Sequence, residues 1–224
     1  MDLIEIRPPA SLEEYDQACA LVEDVYYEHG ITSQRTVRHP KAIFVAVRDG
    51  EVLGSVGFRA ADQGTLPVEH FFGFEVAEMV SLPRAAVFEI VKLAAKERAD
   101  LSVFRGLVAA CAQYAFAERS FGLGFAIVKP RLAKALNHFL HVPTHGLAYS
   151  VVSERANADY PRYFFEGRLP RPVAFRREDR DAYLGRLLAE LEGHATLQCG
   201  DFDHRRDYSV ASTFPCLAGT MLTA

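Results

Sequence analysis

Glu89 and Lys92 are the charged residues of Phe88-Glu89-Ile90-Val91-Lys92-Leu93-Ala94-Ala95, a run that is otherwise apolar. A carboxylate on such a strand is a candidate general base. It can take a proton from a reacting group, directly or through water. The structural alternative is a carboxylate paired with a nearby Arg or Lys. An odd separation puts two side chains of a regular strand on opposite faces, so Glu89 and Lys92 cooperate only if a bulge re-aims one of them.

Other chemistry-bearing residues are less concentrated. Lys96, Arg98 and Arg105 make the next helix start basic, which a solvated surface explains as well as a docking site does. His138, His141 and His145 follow one another near a helix end, and Asp201, Asp203 and His204 cluster in the tail. With no matching cysteine or carboxylate beside the three histidines, the sequence predicts no metal site. Cys19, Cys111, Cys199 and Cys216 are scattered without a CxxC pair, which suits a reducing compartment.

Periodicity supplies the elements that must position these residues. Leu3 to Arg7 reads as a strand, and Ser11-Leu12-Glu13-Glu14 as a capping box opening a helix with Leu12, Tyr15, Cys19, Val22 and Tyr26 inward, ended by Gly30. Ile43 to Arg48 and Val52 to Arg59 flank Asp49-Gly50, the strongest hairpin signal in the chain. Pro67 to Met79 reads as a helix or two turns inserted before a buried strand at Val87 to Leu93.

Asp100 caps a helix whose inward positions are read as Leu101, Phe104, Val108, Cys111 and Ala115. Phe121 to Val128 is the next strand, Pro130 opens a helix, and Leu147 to Val152 returns as a strand. Tyr160 to Arg177 reads as a Pro- and Arg-rich connector, and Glu178 to Glu192 as an amphipathic helix carrying Tyr183, Leu184, Leu187, Leu188 and Leu191. Tyr114, Phe116, Phe121 and Phe125 are expected in the core rather than around a ligand.

This order of elements resembles the GNAT superfamily, in which an acyl-thioester arm sits between two parallel central strands that splay apart. Two families within it share motifs with the chain. Phe88 to Ala95 is similar to the Glu-x-x-Arg strand of the acyl-homoserine-lactone and N-acyl amino acid synthases, and to the Glu-x-Gly-Asn-Leu-Ala-Ala strand of the thermostable hemolysin family. Leu66 to Glu78 and Tyr160 to Glu166 resemble the aromatic and acidic segments of that hemolysin family. The likeness covers roughly residues 40 to 175. Val91-Lys92 stands where the hemolysin family has Gly-Asn, and Lys92 where the synthases have Arg, which keeps the charge and loses the planar fork.

The resemblance implies an α/β fold, a GNAT-like mixed central sheet flanked by helices, spanning 1–177, with a C-terminal helical appendage and tail over 178–224 packed on the same domain. It implies an acyltransferase that moves an acyl group from an acyl carrier protein or coenzyme A thioester, the acyl-phosphopantetheine arm being the donor, to the amine of an amino-acid-like acceptor. Glu89 would be the base, amides along Val91, Lys92 and Leu93 would hold the thioester oxygen, and Tyr149 or Tyr163 would protonate the leaving thiolate. The coenzyme A diphosphate loop of GNAT enzymes is replaced by Lys96-Glu97-Arg98-Ala99-Asp100-Leu101, which has no glycine. An acidic carrier protein needs no such loop, and Lys92, Lys96, Arg98 and Arg105 would attract one. The alternatives are a catalytically silent acyl-binding module and a hemolysin-like membrane-active protein.

The 224 residues, 50% hydrophobic, suffice for one large domain with a sizeable core. A net charge of −4 argues against nucleic acid as a partner. An acidic, alternating N-terminus is unlike a signal peptide, and no apolar run approaches the roughly 20 residues that span a bilayer. The sequence therefore predicts a cytoplasmic protein with a small-molecule acceptor.

Overall fold

The computed structural model describes residues 3–32, 42–97 and 99–199. Arg98, Asp201, Asp203, His204 and Cys216, singled out in the sequence, lie outside them, as does the tail from residue 200.

Local signals fix the first half of the chain. Strand β1 (Ile4–Arg7) leads to helix α1 (Leu12–Glu28), where the Ser11 hydroxyl accepts the Glu14 N–H. Only this half of the capping box forms, because the Glu14 carboxylate accepts from Arg7 and from the Ala10 N–H instead. Strands β2 (Ala42–Arg48) and β3 (Glu51–Ala60) are joined by Asp49 and Gly50, both at positive φ, as a two-residue hairpin demands. Two short helices follow, α2 (Pro67–Phe72) and α3 (Val76–Met79), then β4 (Val87–Ala95).

Helix α4 (Leu101–Ala112) is capped by Asp100, whose carboxylate accepts the Ser102 N–H, and runs on as a π-helical segment, Gln113–Glu118. Its most buried line is Val103, Leu107, Ala110 and Tyr114; of the expected stripe Cys111 and Ala115 are buried, Phe104 and Val108 are half-buried against the core, and Leu101 is 45% exposed. Glycines decide this: a side chain at Gly54 would collide with Val103 and Leu107, and one at Gly106 with Ile6, so the helix comes close to the sheet along that line.

Strand β5 (Leu123–Val128) and helix α5 (Pro130–Phe139) are where periodicity puts them. The return strand is not. Leu147 to Val152 lies outside regular structure, after a two-residue strand β6 (His145–Gly146) and before the short helices α6 (Ser153–Asp159) and α7 (Pro161–Phe165). The supposed connector instead contains β7 (Arg171–Arg176), antiparallel to β5 over its whole length. Helix α8 (Arg180–Leu191) packs on α4, and β8 (Ala195–Leu197) runs parallel to β1, so the stretch read as an appendage closes one edge of the sheet.

Among the described residues the sheet is eight-stranded, in the order β6-β7-β5-β4-β3-β2-β1-β8. Gly54 faces α4, so its neighbour Ser55 and the paired Ala94 face the other way, where Ala94 packs with Val22 of α1. Helices α1 and α4 therefore sandwich the sheet. The two central parallel strands pair only through Val87–Glu89 and Leu123–Phe125, after which β4 and β5 part. Where they still touch, a Cβ on Gly124 would come within 2.4 Å of the Phe88 ring. Gly124→Ala is expected to cost about 1–3 kcal/mol by overpacking, read as a lower urea midpoint at unchanged slope.

Candidate active site

An open cleft of about 2130 Å³ starts where β4 and β5 separate. Glu89, Val91, Lys92 and Leu93 of β4 and Tyr163 of α7 all line it. One irregularity puts both charges of β4 there. Between the pairs Ser55↔Ala94 and Gly57↔Val91, β4 has one residue more than β3, and Lys92 sits in this bulge at φ 54°. The bulge cancels the odd spacing, so Lys92 turns toward Tyr26 of α1, while Glu89 reaches α2.

Glu89 is 1% exposed. Its Oε2 accepts the Val68 N–H at 2.9 Å, in the first turn of α2. Burial pushes its pKa up to about 8, against the lowering effects of that hydrogen bond and of Arg59, its cross-strand partner, and with a small further rise from Glu69. Such a carboxyl exchanges its proton near neutrality instead of standing permanently ionised. The loop before it is pinned by Glu69, whose oxygens accept from the Leu66 and Val76 N–H groups and from both terminal nitrogens of Arg84. Burial works to raise the Glu69 pKa, but these bonds prevail and hold it below the usual carboxylate value. Two neighbouring carboxylates thus differ in role: Glu69 is a permanent anion that shapes the loop, and Glu89 is the titratable one.

The Lys92 Nζ donates to the Tyr160 hydroxyl at 3.0 Å. Burial lowers its pKa to about 8. Tyr163 donates its hydroxyl to the Ile127 carbonyl at 3.1 Å, and burial, with a contribution from Glu89, raises its pKa, so the phenol keeps its proton at neutral pH. Tyr26, also raised by burial, feels Tyr163 and Tyr160, which draws Tyr26, Tyr160 and Tyr163 into one cluster beside Glu89 and Lys92.

The remaining expected site residues lie elsewhere. Tyr149 is 42% exposed and packs on Phe74 at a centroid distance of 4.5 Å, outside the cleft lining. Lys96 is in an ion pair with Glu51, and Arg105 Nε stands 2.9 Å from Glu190 Oε2 of α8; neither lines the cleft. His145 pairs with Asp179 at 2.7 Å. Among the described residues no group of three or more His, Cys, Asp or Glu could hold a metal ion, and no helix is long and apolar enough to cross a membrane. Arg59, Tyr26 and Tyr160 are cleft residues that the sequence did not assign to the site: Tyr26 reads as an inward helix position, Tyr160 as the start of an aromatic segment and Arg59 as a charge on a β-rich strand.

Residues 17–148 match the family of the N-acyl amino acid synthase FeeM. The chain belongs to that family. It shares its fold with FeeM from uncultured soil microbes (TM-score 0.58, 16% identity, covering 82% of this chain and 95% of that one). A CoA-dependent acyl-homoserine lactone synthase, BjaI, solved with SAM and isopentyl-CoA, is as similar in shape (TM-score 0.58, 14% identity, 91% and 97% covered). An N-acetyltransferase from Staphylococcus aureus Mu50 matches as well (TM-score 0.52, 12% identity, 78% and 98% covered). No curated protein sequence matches the chain. The GNAT-type fold expected from the order of elements is therefore present, and membership of the FeeM family makes the chain an acyl-transferring N-acyltransferase by kinship.

Proposed function

We propose that the chain forms an amide by moving an acyl group from a phosphopantetheine thioester, carried by coenzyme A or by an acyl carrier protein, to the amine of an amino-acid-like acceptor. The observation that carries this reading is the buried, titratable Glu89 at the point where β4 and β5 part. An acceptor ammonium entering the cleft favours the ionised form of Glu89, which then takes the proton and leaves a neutral amine. The amine nitrogen attacks the thioester carbonyl. Backbone amides of the Val91–Leu93 bulge, no longer all committed to the ladder with β3, are the candidate donors to the oxyanion. Collapse of the adduct expels the thiolate, Tyr163, which holds its proton at neutral pH, gives one to the sulfur, and the second proton of the attacking nitrogen passes through water to restore the phenol.

The cleft continues between Phe88, Phe116, Leu136 and Phe175 into the core, and this apolar arm suits an acyl chain longer than acetyl. The arrangement favours neither donor through Lys96 or Arg105, because both are held in ion pairs. Mass spectrometry of the purified protein incubated with acyl-coenzyme A or acyl carrier protein thioesters and a mixture of amino acids tests the proposal. N-acyl amino acid masses are expected from at least one donor class, and an absence of product from both overturns it.

A further inference from the structure

Among the described residues Lys92 is a cation without an anion. Its Nζ donates to the Tyr160 hydroxyl and stands 4.9 Å from the centroid of the Tyr26 ring and 5.1 Å from that of Tyr160. Among the described residues no carboxylate pairs with it, and burial alone accounts for its lowered pKa. The conformation that turns it inward is a left-handed one, which costs a non-glycine residue free energy and persists where the surroundings enforce it. An ammonium has three N–H donors, and Tyr160 takes one. Two aromatic faces partly offset the loss of water around the charge, and a carboxylate would complete it.

We propose that Lys92, walled by Tyr26 and Tyr160, binds the carboxylate of the amine acceptor and so makes a free amino acid the preferred substrate over its neutral amide. This rests on the acyl-transfer reading. Lys92 and Glu89 line one cleft, and the tyrosine cluster is close to both. A carboxylate held on Lys92 therefore keeps its own amine in the compartment of Glu89. The anchor also accounts for a bulge at this residue, since a regular β4 would point Lys92 toward α4 and away from Tyr26.

The test compares equilibrium binding of N-dodecanoylglycine and N-dodecanoylglycinamide, product-like probes that differ in charge and are small enough for any α-amino acid pocket. Wild-type protein is expected to bind the acid more tightly by on the order of 100-fold, the usual cost of leaving a buried charge unpaired. Lys92→Met should bring the two affinities together, Lys92→Arg should keep most of the preference, and melting curves of both variants should establish that they fold. Equal affinities in wild type, or a preference that survives in Lys92→Met, would overturn the anchor. So would a Lys92→Met variant that loses coenzyme A binding while still preferring the acid, because Lys92 would then serve the donor. Acylation of amino acids and of their amides at equal rates refutes the anchor and leaves the acyl-transfer reading standing. A preference for the acid without any turnover does the reverse.

Discussion

Glu89→Gln is expected to lower turnover by about 100- to 10,000-fold, the range over which a positioned general base contributes. The amide fills the same space and its oxygen can accept the Val68 N–H, so the loss concerns the proton and not the packing. In wild type, kcat/KM should rise with pH toward about 8 as Glu89 ionises and fall beyond it as Lys92 loses its charge, and the Glu89 variant should lack the rising limb. Stability moves the opposite way. The folded pKa lies above the ordinary 4.5, so the native state holds the proton more tightly than the unfolded chain does. The contribution is full below pH 4.5 and is lost as pH rises toward 8. Denaturant midpoints measured across that window should fall for wild type relative to Glu89→Gln. A variant that keeps both full turnover and the pH limb would show Glu89 to be a purely structural residue.

The second large effect is on stability. Phe58 stacks on Phe88 at 4.9 Å and meets Tyr114 and Phe121 edge-on at 5.4 and 5.6 Å, and it is 1% exposed. These rings join β3 and β4 to the π-helical segment after α4. Phe58→Ala is expected to destabilise the protein by about 3–5 kcal/mol, from lost burial and the cavity left behind. Scanning calorimetry should then show the melting temperature lower by roughly 6–20 °C for a chain of this size. A fall under about 1 kcal/mol would mean that the neighbouring rings collapse into the space.

What the sequence revealed depended on how local each cause was. The β2–β3 hairpin follows from Asp49-Gly50 alone, and the start of α4 from the Asp100 carboxylate. Strand β7 was hidden because Pro170, Pro172 and three arginines surround its short apolar stretch, Val173 to Phe175, whereas Leu147 to Val152 offers a longer β-rich run. Pairing with β5 decided between them, and pairing partners are not written in either segment. The inward stripe of α4 was only partly legible, with Cys111 and Ala115 buried but Leu101 exposed, because α8 and the sheet cover different sides of the helix and apolar residues surround more than one face.

The site divides in the same manner. Glu89 was conspicuous as a carboxylate in an apolar run. Tyr26, Arg59 and Tyr160 were not, because their meaning comes from segments more than a hundred residues apart converging on one cleft. Tyr149 and Tyr163 looked alike as candidate acids, and only the course of the chain through α6 and α7 separates them.

The extra residue in β4 works as a half-period phase shift. Glu89 and Ala94 are five apart, an odd number, yet both face the side of the sheet covered by α1 and α2. Deleting Lys92 would restore a regular ladder in which the two are four apart, so both would keep that face and only the charge turned into the cleft would be lost. One residue of β4 therefore serves the site and not the sheet, and its removal should be tolerated far better by the fold than by the function.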